Sequence, residues 1–265
     1  SEEVSKTFWQ PLLKSIKKCQ RREDIFLAGF NEIQGHEGIW VVSMGHLMGL
    51  FDENWLGIPA THKLIMLRYC EFNKIEKEKI IETAMFFDIP HLMVQAGIKP
   101  FTSQTAAHLV QPGPRTHDGL LFEKQNEEEG KKTKEAIESM VSDLQDWKSF
   151  DHESLKNELK QSWNSDMIWW GPEGIGATYT IDRYASQHSG PFRAGFKDRK
   201  FVGHICRIAE GNYGGFFGWP NLSLIPNGGF MGMPSSQIPG EMRVIDIYRS
   251  CLLYTSDAAD DLLCV

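Results

Sequence analysis

The sequence has no cysteine pair at CxxC spacing, no His-Glu-x-x-His and no recurring His/carboxylate spacing. Those absences speak against a redox dithiol and against a metal site built from neighbouring residues. It also lacks an excess of positive charge. The formal net charge is −7, the opposite of the basic footprint needed for nucleic acid or an acidic membrane surface. No apolar run approaches the roughly 20 residues that cross a bilayer, and the first residues carry no leader pattern. Gly211-x-x-Gly214-Gly215-x-x-Gly218 is glycine-rich, yet it is not GxGxxG between a strand and a helix, so it is not a phosphate loop. Ser43-Met44-Gly45 is no nucleophile elbow. The five cysteines, Cys19, Cys70, Cys206, Cys251 and Cys264, are odd in number and read as reduced thiols of a cytoplasmic protein. Cys70 and Cys206 are expected as small core residues.

What is present is a repeat. Trp55-Leu56-Gly57-Ile58-Pro59-Ala60-Thr61 returns as Phe230-Met231-Gly232-Met233-Pro234-Ser235-Ser236, and the offset of 175 that takes Gly57 to Gly232 also takes Pro59 to Pro234, Arg68 to Arg243 and Glu71 to Asp246. A period this long points to two tandem domains rather than a solenoid. A chain of 265 residues with 41% hydrophobic and 24% charged residues has room for two ordinary cores.

Val4, Phe8, Leu12 and Ile16 recur at helical spacing over 2–20, with Pro11 opening a second short helix. Strands are expected over 39–51, 62–73 and 80–88, with a charged hairpin turn at 76–79. Residues 98–125 read as a connector, 126–147 as an amphipathic helix carrying Ile137, Met140, Val141 and Leu144, and Asp151 as the N-cap of a helix with Leu155, Leu159 and Trp163. Ile181–His188 and the segment from Gly190 repeat the opening helices. Helices followed by a meander of long strands give an α+β class, with helices on one face of an antiparallel sheet. The expected division is 1–100 for unit one, 101–150 for a linker with a helix, 151–250 for unit two, and 251–265 for a tail. That tail resembles translated sequencing-adapter read-through, as found at the ends of environmental gene fragments. Both ends read as cut, and unit two is expected to lack its last strand and so to expose an unpaired sheet edge.

Trp55-Leu56-Gly57-Ile58-Pro59-Ala60-Thr61-His62-Lys63, the Arg68-x-x-Glu71-Phe72 strand, Lys79-Ile80-Ile81-Glu82, and Phe87-Asp88 running on to Gln95-Ala96-Gly97 resemble the SnoaL-like polyketide cyclases. The likeness covers about half the chain. It implies two tandem cone-shaped α+β barrels of the nuclear-transport-factor-2 type, each with a pocket inside the cone. It further implies a homodimer, or pairing of the two units within one chain, and no cofactor. The family's acid/base residue for intramolecular aldol ring closure falls on Asp88. His62 and Glu78 stand where the family pattern has glycine.

The residues themselves leave alternatives. Asp88 is either a base at the edge of an apolar pocket or the cap of the segment that follows it. His46 or His91 would assist it, or His46 is a hydrogen-bonded core histidine. Glu71 and Asp246, acids inside apolar strands, are either pocket groups or are paired with an arginine of a neighbouring strand. Trp40, Trp55, Tyr69, Phe86, His204 and Trp219 are expected to bind substrate or to be core. The expectation is cofactor-independent acid/base chemistry on a small carbonyl substrate, with no metal. A non-catalytic ligand-binding or dimerisation module, or a hydrolase or dehydratase of the same fold, are the alternatives.

Overall fold

Pro11 sets the shape of the first helical segment. In the structure, a computed structural model that describes residues 2–146, 148–251 and 262–264, α1 (Glu2–Val4) runs through a π turn (Ser5–Trp9) into α2 (Gln10–Ser15). The Gln10 amide reaches back five residues to the Ser5 carbonyl, and Pro11 follows. The wider turn relieves the clash that a proline ring makes with the preceding turn of a regular helix. The helix stops at Ser15 rather than near residue 20, because Ile16 is already extended. Ile16 opens β1 (Ile16–Asn31), a strand the polar run 17–24 conceals.

Strands β2 (Gly38–Phe51), β3 (Leu64–Glu76) and β4 (Lys79–Phe87) follow, and the four form an antiparallel meander in chain order. Lys77 and Glu78 make the two-residue β3–β4 turn with φ of 49° and 61°, the backbone that matches strand twist and favours glycine. Asp88 then caps α3 (Ile89–Gln95).

The connector carries no long element, but it touches both halves. Phe26 exchanges backbone hydrogen bonds with Gly119 and Leu121, and Ala107 does so with Ala177. Helix α4 (Glu127–Asp146) is capped by Asn126, and α5 (His152–Leu159) by Asp151, whose side chain accepts the Ser154 amide at 2.9 Å. Ile137, Met140 and Val141 are buried as expected, while Leu144 is exposed.

A short hairpin, β5 (Ile168–Trp170) with β6 (Ala177–Tyr179), leads into α6 (Thr180–Tyr184), a second π turn (Ala185–Ser189) and α7 (Gly190–Gly195). Pro191 stands in α7 as Pro11 does in α2. The second sheet centres on β9 (Tyr213–Pro226). Strands β7 (Phe196–Phe201) and β8 (Cys206–Glu210) pair with its two ends on one side, and β10 (Gly240–Cys251) pairs on the other. The edge of β10 is not wholly bare, contrary to expectation. Strand β11 (Leu262–Cys264), inside the segment expected to be a tail, pairs with Arg249–Cys251; of that tail, 252–261 and 265 lie outside the described residues. Cys251 is disulfide-bonded rather than reduced, whereas Cys19, Cys70 and Cys206 are free. Among the described residues no helix is long and apolar enough to cross a membrane.

Each sheet has two covered faces. One face of the first sheet, with Leu27, Trp40, Val42 and Phe72, packs directly on Cys206, Ile208, Phe217 and Ile247 of the second. Phe217 is the centre of this layer, its ring 5.6 Å from Trp40, 5.0 Å from Phe72 and 6.1 Å from Phe86. The backbones come close as well: a β-carbon on Gly29 would sit 3.0 Å from that of Ile208. Buried Asn31 donates to the Ile205 carbonyl and accepts the Arg207 amide, bridging β1 to the second sheet. The outer faces are covered separately, the first by α2, Trp55, Ile58 and Leu92 and the second by Leu155, Trp163, Trp169 and Tyr184. Phe217→Ala is expected to destabilise the chain by about 3–5 kcal/mol in urea unfolding, whereas Ile238→Ala, at a residue 76% exposed, should change stability by less than about 0.5 kcal/mol.

Candidate functional site

The residues expected to line one pocket are divided between the faces of the first sheet. Trp40 and Phe86 lie in the layer between the sheets, and Trp40 gives its indole hydrogen to the His36 carbonyl. Trp219 sits at the rim, 48% exposed, with Phe86 at 5.3 Å and the Arg243 guanidinium over its ring. His46, opposite Arg68 in the β2–β3 register, is buried with Nδ1 3.4 Å from Asp24. Trp55 and Tyr69 face the helices instead. Since alternate residues of a strand point to opposite faces, these side chains cannot converge on one substrate.

On the helix-covered face, Glu71 is held at 2.6 Å by Arg21 of β1, so it is paired with an arginine, though one two strands away rather than on a neighbouring strand. The same guanidinium lies over the Tyr69 ring at 4.6 Å, and Ser43 joins the Tyr69 hydroxyl to Glu23. Burial pushes the Tyr69 phenol up to about 12. Every acid in this cluster already has a donor.

Asp88 follows the last residue of β4, and its φ/ψ (−85°, 73°) departs from the strand conformation. One carboxylate oxygen accepts the His91 amide at 3.1 Å; the other accepts Arg68 at 3.0 Å and the Glu173 amide at 3.1 Å. Arg68 also donates to the Trp170 and Gly171 carbonyls. Asp88 therefore caps α3 while buried, and it ties the first sheet to the β5–β6 loop. That loop needs its glycines, since a β-carbon on Gly176 (φ +90°) would lie 2.4 Å from the Ala107 carbonyl.

His91 is also buried. Its Nδ1 faces the Gln95 amide nitrogen at 2.9 Å, and its ring stacks on His108 at 4.7 Å. Burial pushes its pKa down, against the pull of the Asp88 charge. His108 in turn bonds buried Glu173 at 2.6 Å. The sequence reading found Asp88 and His91 but missed His108, Glu173 and the role of Arg68. No local spacing could have revealed partners drawn from the connector and the second half.

In the second half, His204 stacks on Phe216 at 3.9 Å and accepts from Arg207; burial pushes its pKa down to about 3. Asp246, opposite Phe216 in the β9–β10 register, has the Tyr248 hydroxyl beside it, and among the described residues no charged group of opposite sign offsets its burial. The residue keeps some exposed surface, but desolvation of the carboxyl dominates and raises its pKa to about 7. Around it, the Trp163 ring lies 5.7 Å from Tyr248 and 5.6 Å from Tyr184, and Trp169 stacks on His188 at 4.2 Å. Trp163 Nε1 and His188 Nδ1 are buried without partners among the described residues. Burial holds the Tyr184 and Tyr248 phenols protonated and pushes His188 down to about 3, so that it is neutral. The alternative of a pair with an arginine of a neighbouring strand is not seen for Asp246 among the described residues; Arg243, of its own strand, lies over Trp219.

Breaking the buried Asp88–Arg68 pair from either side is expected to cost about 3–5 kcal/mol. In a double-mutant cycle, Asp88→Asn with Arg68→Met should cost less than the two singles summed, and strict additivity would show that the pair is not coupled. No protein-family model, curated protein or solved structure matches the chain.

Proposed function

We propose that the chain is a tandem of two cone-shaped α+β barrels of the SnoaL-like type, and that the second catalyses cofactor-independent acid/base chemistry on a small enolisable carbonyl compound. Asp246 is the proton acceptor in this reading. The observation that carries it is a carboxyl with a tyrosine hydroxyl but no cation beside it, set among Trp163, Tyr184, Tyr248 and Phe216.

Several features support the tandem. Helix, π turn, helix and strand recur with an offset of 180, from Ser5–Trp9 to Ala185–Ser189. Both positions where the SnoaL-like pattern has glycine and this chain does not, His62 and Glu78, adopt positive φ of 55° and 61°, the conformation glycine takes at least cost. The shared layer between the sheets is the within-chain pairing that such units would make.

The chemistry follows from the partners. Asp88 and Glu71 have their oxygens engaged by Arg68 and Arg21, whereas Asp246 does not. A carboxyl raised to about 7 is matched to removing a proton alpha to a carbonyl near neutral pH. The developing enolate oxygen needs a donor, and the unpartnered Trp163 Nε1–H and the neutral His188 stand in the same aromatic cluster. Donors held in a dry site stabilise such a charge more than water does.

The test is solvent-deuterium incorporation into a panel of small ketones and β-keto esters, read by mass spectrometry. Wild type should catalyse exchange with a rate rising with pH through about 7, and Asp246→Asn should lose it by about 100-fold or more. Exchange indifferent to Asp246→Asn would sink the reading, and binding without exchange would favour the ligand-binding module. Stability gives an independent check of the carboxyl. Its folded pKa lies above its unfolded one, so its stabilising contribution is present below about pH 4 and is lost as pH rises through about 7. Relative to wild type, Asp246→Asn should therefore melt higher at pH 8 than at pH 5.

A further inference from the structure

Away from Asp246, three segments far apart in the chain bring two imidazoles and a carboxylate together. His91 comes from α3, His108 from the connector and Glu173 from the β5–β6 loop, and one ligating atom from each lies within 4.8 Å of the others. His91 is 6% exposed, and its Nε2 is buried without a partner among the described residues. Glu173 is buried, while the His108 side chain is 38% exposed and leaves one side of the cluster open to water. We infer that this cluster is a binding site for a divalent transition metal, with zinc the best match.

Two nitrogens and one carboxylate oxygen suit zinc, cobalt or nickel and do not suit calcium or magnesium, which take oxygen ligands. Three protein ligands with an open side leave room for water in the fourth position, as in a reactive rather than a closed zinc site. A cation bound by His108 Nδ1 and Glu173 would take the place of the hydrogen bond between them at 2.6 Å, and a neutral imidazole would then carry its hydrogen on Nε2.

The surroundings make the site distinctive. Ligation through His91 Nε2 requires the ring proton on Nδ1. Gln95 opposes that arrangement: its carboxamide oxygen accepts the Met66 amide at 2.8 Å, its nitrogen donates to the Met66 carbonyl at 2.8 Å, and that same nitrogen faces Nδ1 at 2.9 Å. The side chain is pinned with a donor toward the ring, so the resting neutral tautomer carries its hydrogen on Nε2. Gln95 must turn or detach when metal binds. An outer partner of the right polarity is worth roughly 10- to 100-fold in metal affinity, and this site forgoes it. Replacing Gln95 with glutamate would supply an acceptor for the Nδ1 hydrogen.

The experiment is zinc titration of the full chain, stripped with a chelator and competed against a chromophoric chelator, with magnesium as the control ion. Cobalt substitution, read by visible absorption, reports the ligand set. A single equivalent of zinc should bind, and magnesium should not compete. His108→Ala, at an exposed position, and Glu173→Gln should each weaken binding by at least about 10-fold, and Gln95→Glu should tighten it by about 10-fold. His62→Ala and His117→Ala, at exposed histidines elsewhere, should change nothing. Binding unaffected by His108→Ala, binding abolished by the His62 or His117 variants, or no tightening in a folded Gln95→Glu protein would overturn the assignment. The inference does not depend on the acid/base reading, which is tested at Asp246.

Discussion

The apolar layer between the two sheets is the constraint on which the rest of the molecule depends. Once Trp40, Val42 and Phe72 are committed to Phe217 and Ile208, strand alternation assigns every other side chain of β2 and β3 to the helix-covered face. That is why Tyr69 and Glu71 look toward α2 while Arg68 looks toward the second half. It also fixes β1 beside β8, where Asn31 and Gly29 allow the backbones to approach. A one-residue slip would exchange the two faces and bury the wrong set.

Within that frame, three acids of similar sequence context have different chemistry because their neighbours differ. Glu71 meets Arg21, Asp88 meets Arg68 and two amides, and Asp246 meets a tyrosine. Burial alone disfavours all three charges. A guanidinium or a set of backbone donors repays that cost for the first two. The third is left to keep its proton near neutral pH. The first two acids hold the structure together, and the third is free to exchange a proton.

Much of the scaffold was legible in the residues. Alternation marked β2, the long strand to Asn73 and its return; turn chemistry marked Lys77 and Glu78; and Asp151 and Pro11 marked where helical segments begin. Strand β1 was not legible, because an edge strand with one wet side reads as a polar run from Lys17 to Asp24. The site was legible by halves. The acids were visible as charges in apolar company, but their partners were not: Glu173 reaches Asp88 across 85 residues, a separation that carries no pattern. Asp88 was legible as an acid and as a cap of the segment after it, and it is the cap of α3.

The Gln95 carboxamide has a consequence beyond its histidine neighbour. Strand β4 begins pairing with β3 at Tyr69 and offers nothing to Met66. There, a side-chain amide takes the place of a main-chain peptide, giving and receiving one hydrogen bond each. The rung is closed by a single residue, so a foreign strand approaching that border finds no free donor or acceptor at Met66 to start a ladder.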